Sequence, residues 1–348
     1  MRTIGSRALA GLAFGVLISF HTSVVSGQWQ KGRDLEDRKT WTVGITAGSI
    51  FDLDGEVQET ERPLFEFTDD HSGAPPEDYS WDELGFDDNY FVLGIYAEKM
   101  WRYVTVHANA FYGNPSVSGT ADRHYFIGVE KVTFEGEDYE HMMIPEGQEY
   151  RGDIRAGKLE LRTMITPVSY RTRRNIEFTP WIHISLFGFL GDYEIDAGPA
   201  QGVRQYERPP RDYVIGGKGT GTTGIIVPEF GLGGEVRFPT GASSHISLQA
   251  FYALLKVSGR TGDFGVTSRR EKALDVDYHT FGVRGEFEYE VSDRLGLVAG
   301  VEFTHRTGDA EVRAKSRPED EILELREKFD KDVSFQLSTL IGFLGLRF

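Results

Sequence analysis

Ile226-Val227-Pro228-Glu229-Phe230-Gly231-Leu232-Gly233-Gly234-Glu235-Val236-Arg237-Phe238 separates into two unlike faces when its residues are taken alternately. Ile226, Phe230, Leu232, Val236 and Phe238 fall on one side. Glu229, Gly231, Gly233, Glu235 and Arg237 fall on the other. A period of two is that of a β-strand whose faces meet different surroundings. Large apolar residues on one face and Gly, Glu and Arg on the other suit a wall between lipid and a polar interior better than half of a soluble core.

The same pattern recurs along the chain. Trp41, Val43, Ile45 and Ala47 mark a first strand, Phe91 to Ala97 a second, Val104 to Ala110 a third, and Leu159, Leu161 and Ile165 a fourth. Ile182, Ile184 and Leu186 carry the fifth, and the opening stretch is the sixth. The seventh holds Ile246 to Leu254, the eighth Phe281 to Tyr289, the ninth Leu295 to Phe303, and the last runs from about Val333 to Phe348. Pro228 removes one ladder hydrogen bond, which predicts a strand end or a bulge there. Long connections (Asp52–Asp88, Asn114–Ile154, Gly191–Thr220, Arg260–Arg270, Arg306–Lys331) alternate with short ones. Within the second of these, Tyr125–Phe134 suggests a β-extension. In the last, Ser316 and Glu319 at capping-box spacing before Ile322, Leu325 and Phe329 suggest a short helix.

Met1–Gly27 has a basic start, an apolar run from Ala8 to Phe20 and small residues at its end, the form of a secretory signal. The run is shorter than the ~20 residues of a spanning helix, and no later apolar run approaches that length. The expected division is therefore residues 1–27 as signal peptide, 28–40 as a short periplasmic lead-in and 41–348 as barrel. The absence of cysteine removes disulfides and thiolate metal sites. A net charge of −16 argues against nucleic acid.

The expected fold is all-β: an antiparallel up-and-down transmembrane β-barrel of about 10 strands, with 8–12 admissible, since strand number is even and short turns alternate with long loops. Closure gives every backbone group a partner, as lipid demands. Leu340, Leu344, Leu346 and Phe348 alternate up to a terminal aromatic, which resembles the C-terminal signal of bacterial outer-membrane β-barrel proteins, with Phe343 where that family usually has glycine. The resemblance implies an outer-membrane location with periplasmic termini and extracellular long loops. It also implies outer-membrane lipid and lipopolysaccharide as surroundings, and the barrel-assembly machinery as a partner in biogenesis.

About ten strands leave little room beyond the side chains themselves. The inward set Glu160, Arg162, Glu229, Glu235, Arg237, Arg284, Glu286, Glu288 and Glu302 carries both signs and is expected to interlock as a plug. Its acid excess would favour cations if a path were open. Asp52–Asp88 is strongly acidic, but no spacing in it matches a defined metal loop, and no cofactor is expected. Asp52 and Asp54 share a face at the top of the first strand, Asp277 and His279 at the top of the eighth. Carboxylates and an imidazole so placed activate water. The arrangement resembles in part the omptin proteases, ten-strand barrels with an Asp-x-Asp and an Asp-x-His pair at the outer mouth. That family carries its first pair in the second outer loop, and Asn114–Ile154 has none. His183-Ile184-Ser185 and His245-Ile246-Ser247 resemble the dyads of outer-membrane phospholipase and lipid A deacylase, but the neighbouring isoleucines turn both inward. The favoured expectation is a non-enzymatic, structural or surface-binding barrel acting through its acidic loops. A narrow ion or solute channel and an outer-membrane hydrolase are the alternatives.

Overall fold

The structure, a computed structural model, describes residues 27–33, 40–62, 78–80, 89–207, 210–260, 270–316 and 328–348. Ten long strands form the wall. They are β1 (Trp41–Arg62), β2 (Tyr90–Met100), β3 (Val104–Gly113), β4 (Glu149–Ile165) and β5 (Glu177–Asp196). They continue with β6 (Lys218–Pro239), β7 (Ser244–Arg260), β8 (Arg270–Ser292), β9 (Leu295–Ser316) and β10 (Lys328–Arg347). Each pairs antiparallel with the next, and β10 closes on β1 through Gly342↔Ala47 and its neighbours, giving a closed barrel of 10 strands. At the seam Trp41 and Phe348 exchange two backbone hydrogen bonds of 2.8 Å. All ten strands fall where the sequence alternation places them.

The alternation sorts side chains as expected. Ile226, Phe230, Leu232, Leu248, Val301 and Leu344 stand exposed on the outside, with Ile226 retaining 68% of its surface. Trp41, Trp101, Tyr103 and Tyr289 stand exposed towards the short-turn end, and Tyr112 and Tyr252 towards the other, the girdle positions of a membrane barrel.

Four expectations are corrected. The acidic stretch does not leave the wall at Asp52, because β1 continues to Arg62 against β10. β9 likewise runs on to Ser316, so Arg306 is a wall residue. Polar residues on both faces of these extensions remove the alternation that would have revealed them. Gln28 is not part of a bare lead-in, since Gly27–Lys31 forms a strand paired with Val168–Thr172 beneath the barrel. Pro228 lies mid-strand, yet the β6–β7 ladder ends at Phe230↔Leu254, so it is spared a place in that ladder while still facing Leu186 of β5. Residues 1–26, 34–39, 63–77, 81–88, 261–269 and 317–327 lie outside the described residues. With them fall the leader, most of the acidic loop and the core of the suggested helix.

Above Phe230↔Leu254 and Ile50↔Tyr90 the wall parts into two blades. One continues β7 to β10 and β1. The other continues β4 to β6 and carries an added β-lobe, with strands Ser116–Thr120, Tyr125–Phe134, Glu137–Ile144, Gly202–Glu207 and Pro210–Ile215. Tyr125–Phe134 thus does extend above the wall. Its turn, Glu135-Gly136, has φ of 51° and 90°, two positive values in a row as tight hairpins require. Val117, Tyr125, Val132, Met142, Ile144, Tyr150 and Val214 give the lobe its own apolar core.

Candidate functional site

The lumen is filled. From the mouth inward, Ile50, Tyr90, Val92, Phe111, Phe187, Val227, Tyr278, Leu337 and Ile341 form an apolar layer where the blades diverge. Beneath it one ion-pair chain descends the barrel. It runs Glu229–Arg306 (3.4 Å), Arg306–Glu160 (2.9 Å), Glu160–Arg162 (2.5 Å), Arg162–Glu302 (3.4 Å) and Glu302–Arg284 (3.4 Å). It continues Arg284–Glu286 (2.8 Å), Glu286–Arg347 (2.7 Å), Arg347–Glu288 (2.8 Å) and Glu288–Arg237 (2.9 Å). Lys158 joins through Glu160, and Glu98 through Arg347.

Six carboxylates (Glu98, Glu160, Glu229, Glu286, Glu288, Glu302) therefore meet six bases (Lys158, Arg162, Arg237, Arg284, Arg306, Arg347). The acid excess expected from the sequence set disappears once Lys158, Arg306 and Arg347 are counted. Guanidinium faces are covered too: Arg162 lies 3.8 Å from the Phe251 ring centre, Arg284 4.1 Å from Phe343 and Arg306 4.6 Å from Phe187. Buried charges cost several kcal/mol each unless paired, and here each has a partner.

The short-turn end is sealed separately. Arg33, just past the strand Gly27–Lys31, enters the lumen and meets Glu235 at 2.5 Å. Its backbone N–H donates to Arg102 O, and Ser169 Oγ donates to Gly32 O at 2.7 Å. A polar cavity of about 20 Å³ lies beside it, lined by residues including Glu98, His245 and Arg347, room for a water molecule.

Asp277 and His279 do meet, with Oδ1 to Nε2 at 2.9 Å. Lys256 Nζ donates to the other Asp277 oxygen at 2.8 Å, and Tyr252 Oη lies 2.5 Å from His279 Nδ1. This group faces outward, because Tyr278 and Thr280 take the inward places and donate to Glu229. Asp52 and Asp54 lie on β1, with β9 and β10 between it and β8, and no residue pairing joins them to β8.

His183, Ser185 and Ser247 are buried on the lumen side. Ser185 Oγ donates to Glu229 at 2.6 Å and Ser247 Oγ bonds no protein group, so neither serine engages its histidine. Backbones of residues i and i+2 of one strand stand ~6.8 Å apart, a gap that Arg162 closes to Glu160 and His279 to Asp277 and that these two serines do not close to their histidines. The cross-strand pair His305↔Ser338 achieves what they do not, with Nδ1 to Oγ at 2.9 Å. Sequence reasoning missed it because pairing between strands is invisible until register is known. Among the described residues no group of three or more His, Asp or Glu is arranged to hold a metal ion.

No family model and no curated protein matches the chain. Among solved structures, the outer membrane protease OmpT from Escherichia coli is similar over 89% of this chain and 96% of its own, at 9% identity and a TM-score of 0.37. A Pseudomonas aeruginosa FadL homologue is similar over 88% and 90%, at 8% identity and a TM-score of 0.24. The P. putida toluene transporter TodX is similar over 89% and 90%, at 8% identity and a TM-score of 0.20. At these scores nothing about the site's chemistry follows from the likeness.

Proposed function

We propose that the chain is an outer-membrane β-barrel whose lumen is a structural plug and whose work is done on the outside, by the β-lobe and blades that rise on the long-loop side. The observation that carries this reading is the charge-matched chain from Glu229 to Arg237, closed below by Arg33–Glu235 and above by the apolar layer. An exterior of Ile, Leu, Val and Phe around a polar interior supports the membrane placement. The short-turn end, where Trp41 and Phe348 meet, then faces the periplasm. The lobe has a core of its own and carries Glu135 and Glu137 at its exposed hairpin tip, suited to a polar partner at the cell surface.

Planar-bilayer recording of the folded protein tests the plug. The expected outcome is no single-channel steps, and steady steps would replace this reading with the channel. Surface labelling of intact cells tests orientation in the same way: a Lys131→Cys variant, in a chain with no other cysteine, is expected to react with a membrane-impermeant maleimide. Protection of that residue, with reaction at a cysteine placed in 293–294, would invert the orientation.

A further inference from the structure

His305 and Ser338 face outward at the upper limit of the apolar wall. On β9 the outward series Leu297, Ala299, Val301, Phe303 ends at His305, and on β10 the series Phe348, Leu346, Leu344, Leu340 ends at Ser338. Phe51, in contact with Phe303 at 6.3 Å between ring centres, borders the pair on β1. A serine hydroxyl within hydrogen-bond reach of an imidazole is the arrangement that activates a nucleophile. Where the pair sits matters as much. The apolar run below it fits acyl chains, and in any bilayer the bonds joining acyl chains to their head groups lie at this boundary.

Two further features belong to the same place. The β10–β1 ladder is regular except at Ser338, where Ser338 faces Phe51 and Gln336 faces Asp54, so that β1 spends two residues against the single Leu337. Such a bulge leaves a backbone N–H outside the ladder and is found beside active sites. On the other side, His279 faces Thr307, two residues from His305. The Lys256–Asp277–His279–Tyr252 group therefore continues the polar row across β7 and β8. Lys256 is paired with Asp277 at 2.8 Å, so the row is polar without an unpaired cation, and its hydrogen-bonding groups suit a hydroxyl-rich head group.

We infer that this row is a lipid-facing esterase site, with Ser338 as nucleophile and His305 as its base, acting on an ester-linked acyl chain of an outer-leaflet lipid. With its own proton on Nε2, His305 takes the Ser338 proton on Nδ1 as Oγ attacks the acyl carbonyl carbon. The ester C–O bond then breaks, and the imidazolium returns the proton to the departing alcohol oxygen. Water, deprotonated by the same imidazole, cleaves the acyl-serine to release the fatty acid and restore Oγ–H. Ser338 keeps only 2% of its surface and His305 is half-buried, so the pair is screened from bulk water, and the reaction requires the side chains over Ser338 to move aside before a carbonyl enters from the lipid side.

The inference rests on the membrane placement proposed above, and heat-dependent gel migration of each sample reports whether the barrel itself is formed. The full chain, folded in nonionic detergent, is mixed with phosphatidylglycerol in one arm and lipopolysaccharide in the other, and fatty acid release is followed. A fluorophosphonate probe is applied in parallel and its site mapped by mass spectrometry. Release is expected in one arm, with the label on Ser338. Ser338→Ala and His305→Gln are each expected to lower the rate about a hundredfold or more. Ser247→Ala, an inward serine, should leave it unchanged. The arm that responds identifies the acyl carrier as a glycerophospholipid or an acylated glucosamine lipid. A heat-shifting barrel that releases nothing in either arm, or whose release survives Ser338→Ala, would overturn the inference and leave the plugged barrel standing.

Discussion

Arg306→Met is expected to destabilise the folded barrel by about 3–5 kcal/mol, the range found when one partner of a buried ion pair is removed. Arg306 is fully buried and holds Glu160 at 2.9 Å, Glu229 at 3.4 Å and Thr304 Oγ1 at 2.9 Å. Methionine keeps the packing against Phe187 but leaves two carboxylates short of a cation. The loss is a desolvation effect, so removing one of those charges should recover part of it. Arg306→Met with Glu229→Gln is expected to be more stable than Arg306→Met alone. Arg294→Ala, at an exposed turn, should move stability by less than about 0.5 kcal/mol. Denaturant unfolding in vesicles, read by tryptophan fluorescence and heat-shift gels, measures all four proteins. Equal midpoints for Arg306→Met and the wild type would show that the ion-pair chain is not what fills the lumen.

Gly282→Val is expected to cost about 2–3 kcal/mol through overpacking. Gly282 faces Phe251 across β7–β8, and the ring lies where a side chain at 282 would stand, so an added Cβ would overlap it. Phe251 is not free to turn away. The Arg162 guanidinium lies over its face at 3.8 Å, and the His183 ring meets it edge-on at 5.5 Å. Displacing the ring therefore disturbs the stacking of an arginine that carries two of the ion pairs. Phe251→Ala alone opens a cavity and is costly for the opposite reason. The two changes share one volume, so the double variant should lose less than the sum of the singles. Strict additivity in the unfolding midpoints would contradict this packing.

Much of the architecture is legible in the amino-acid sequence. Parity alone assigns Ile226, Phe230 and Leu232 outward and Glu229, Glu235 and Arg237 inward, and the ten strands follow from repeats of that pattern. What parity does not contain is which strand stands opposite which residue. Arg306 and Arg347 can be reached as inward by counting two by two from Glu302 and back from Phe348, yet Arg306 sits where β9 turns polar on both faces and so resembles loop. Glu98 resembles turn for the same reason. Arg33 carries no signal, because a single charged residue in a polar segment gives no hint that the segment folds back under the barrel. The His-x-Ser repeats have a visible spacing and no contact. His305 and Ser338, 33 residues apart, have the contact and no visible spacing.

Every assignment of lumen and exterior depends on one face of each strand meeting lipid while the other meets a filled interior. Because the chain has no cysteine, single cysteines can be placed at each position from Leu297 to Thr304 on β9 and labelled with a fluorophore in reconstituted vesicles. Quenching by brominated lipid acyl chains is then compared with quenching by aqueous iodide. A plugged barrel predicts strong lipid quenching at positions 297, 299, 301 and 303 and little from either quencher at 298, 300, 302 and 304. Iodide quenching at the even positions would reveal a water-filled channel in place of the plug, and lipid quenching with no alternation would contradict the barrel itself.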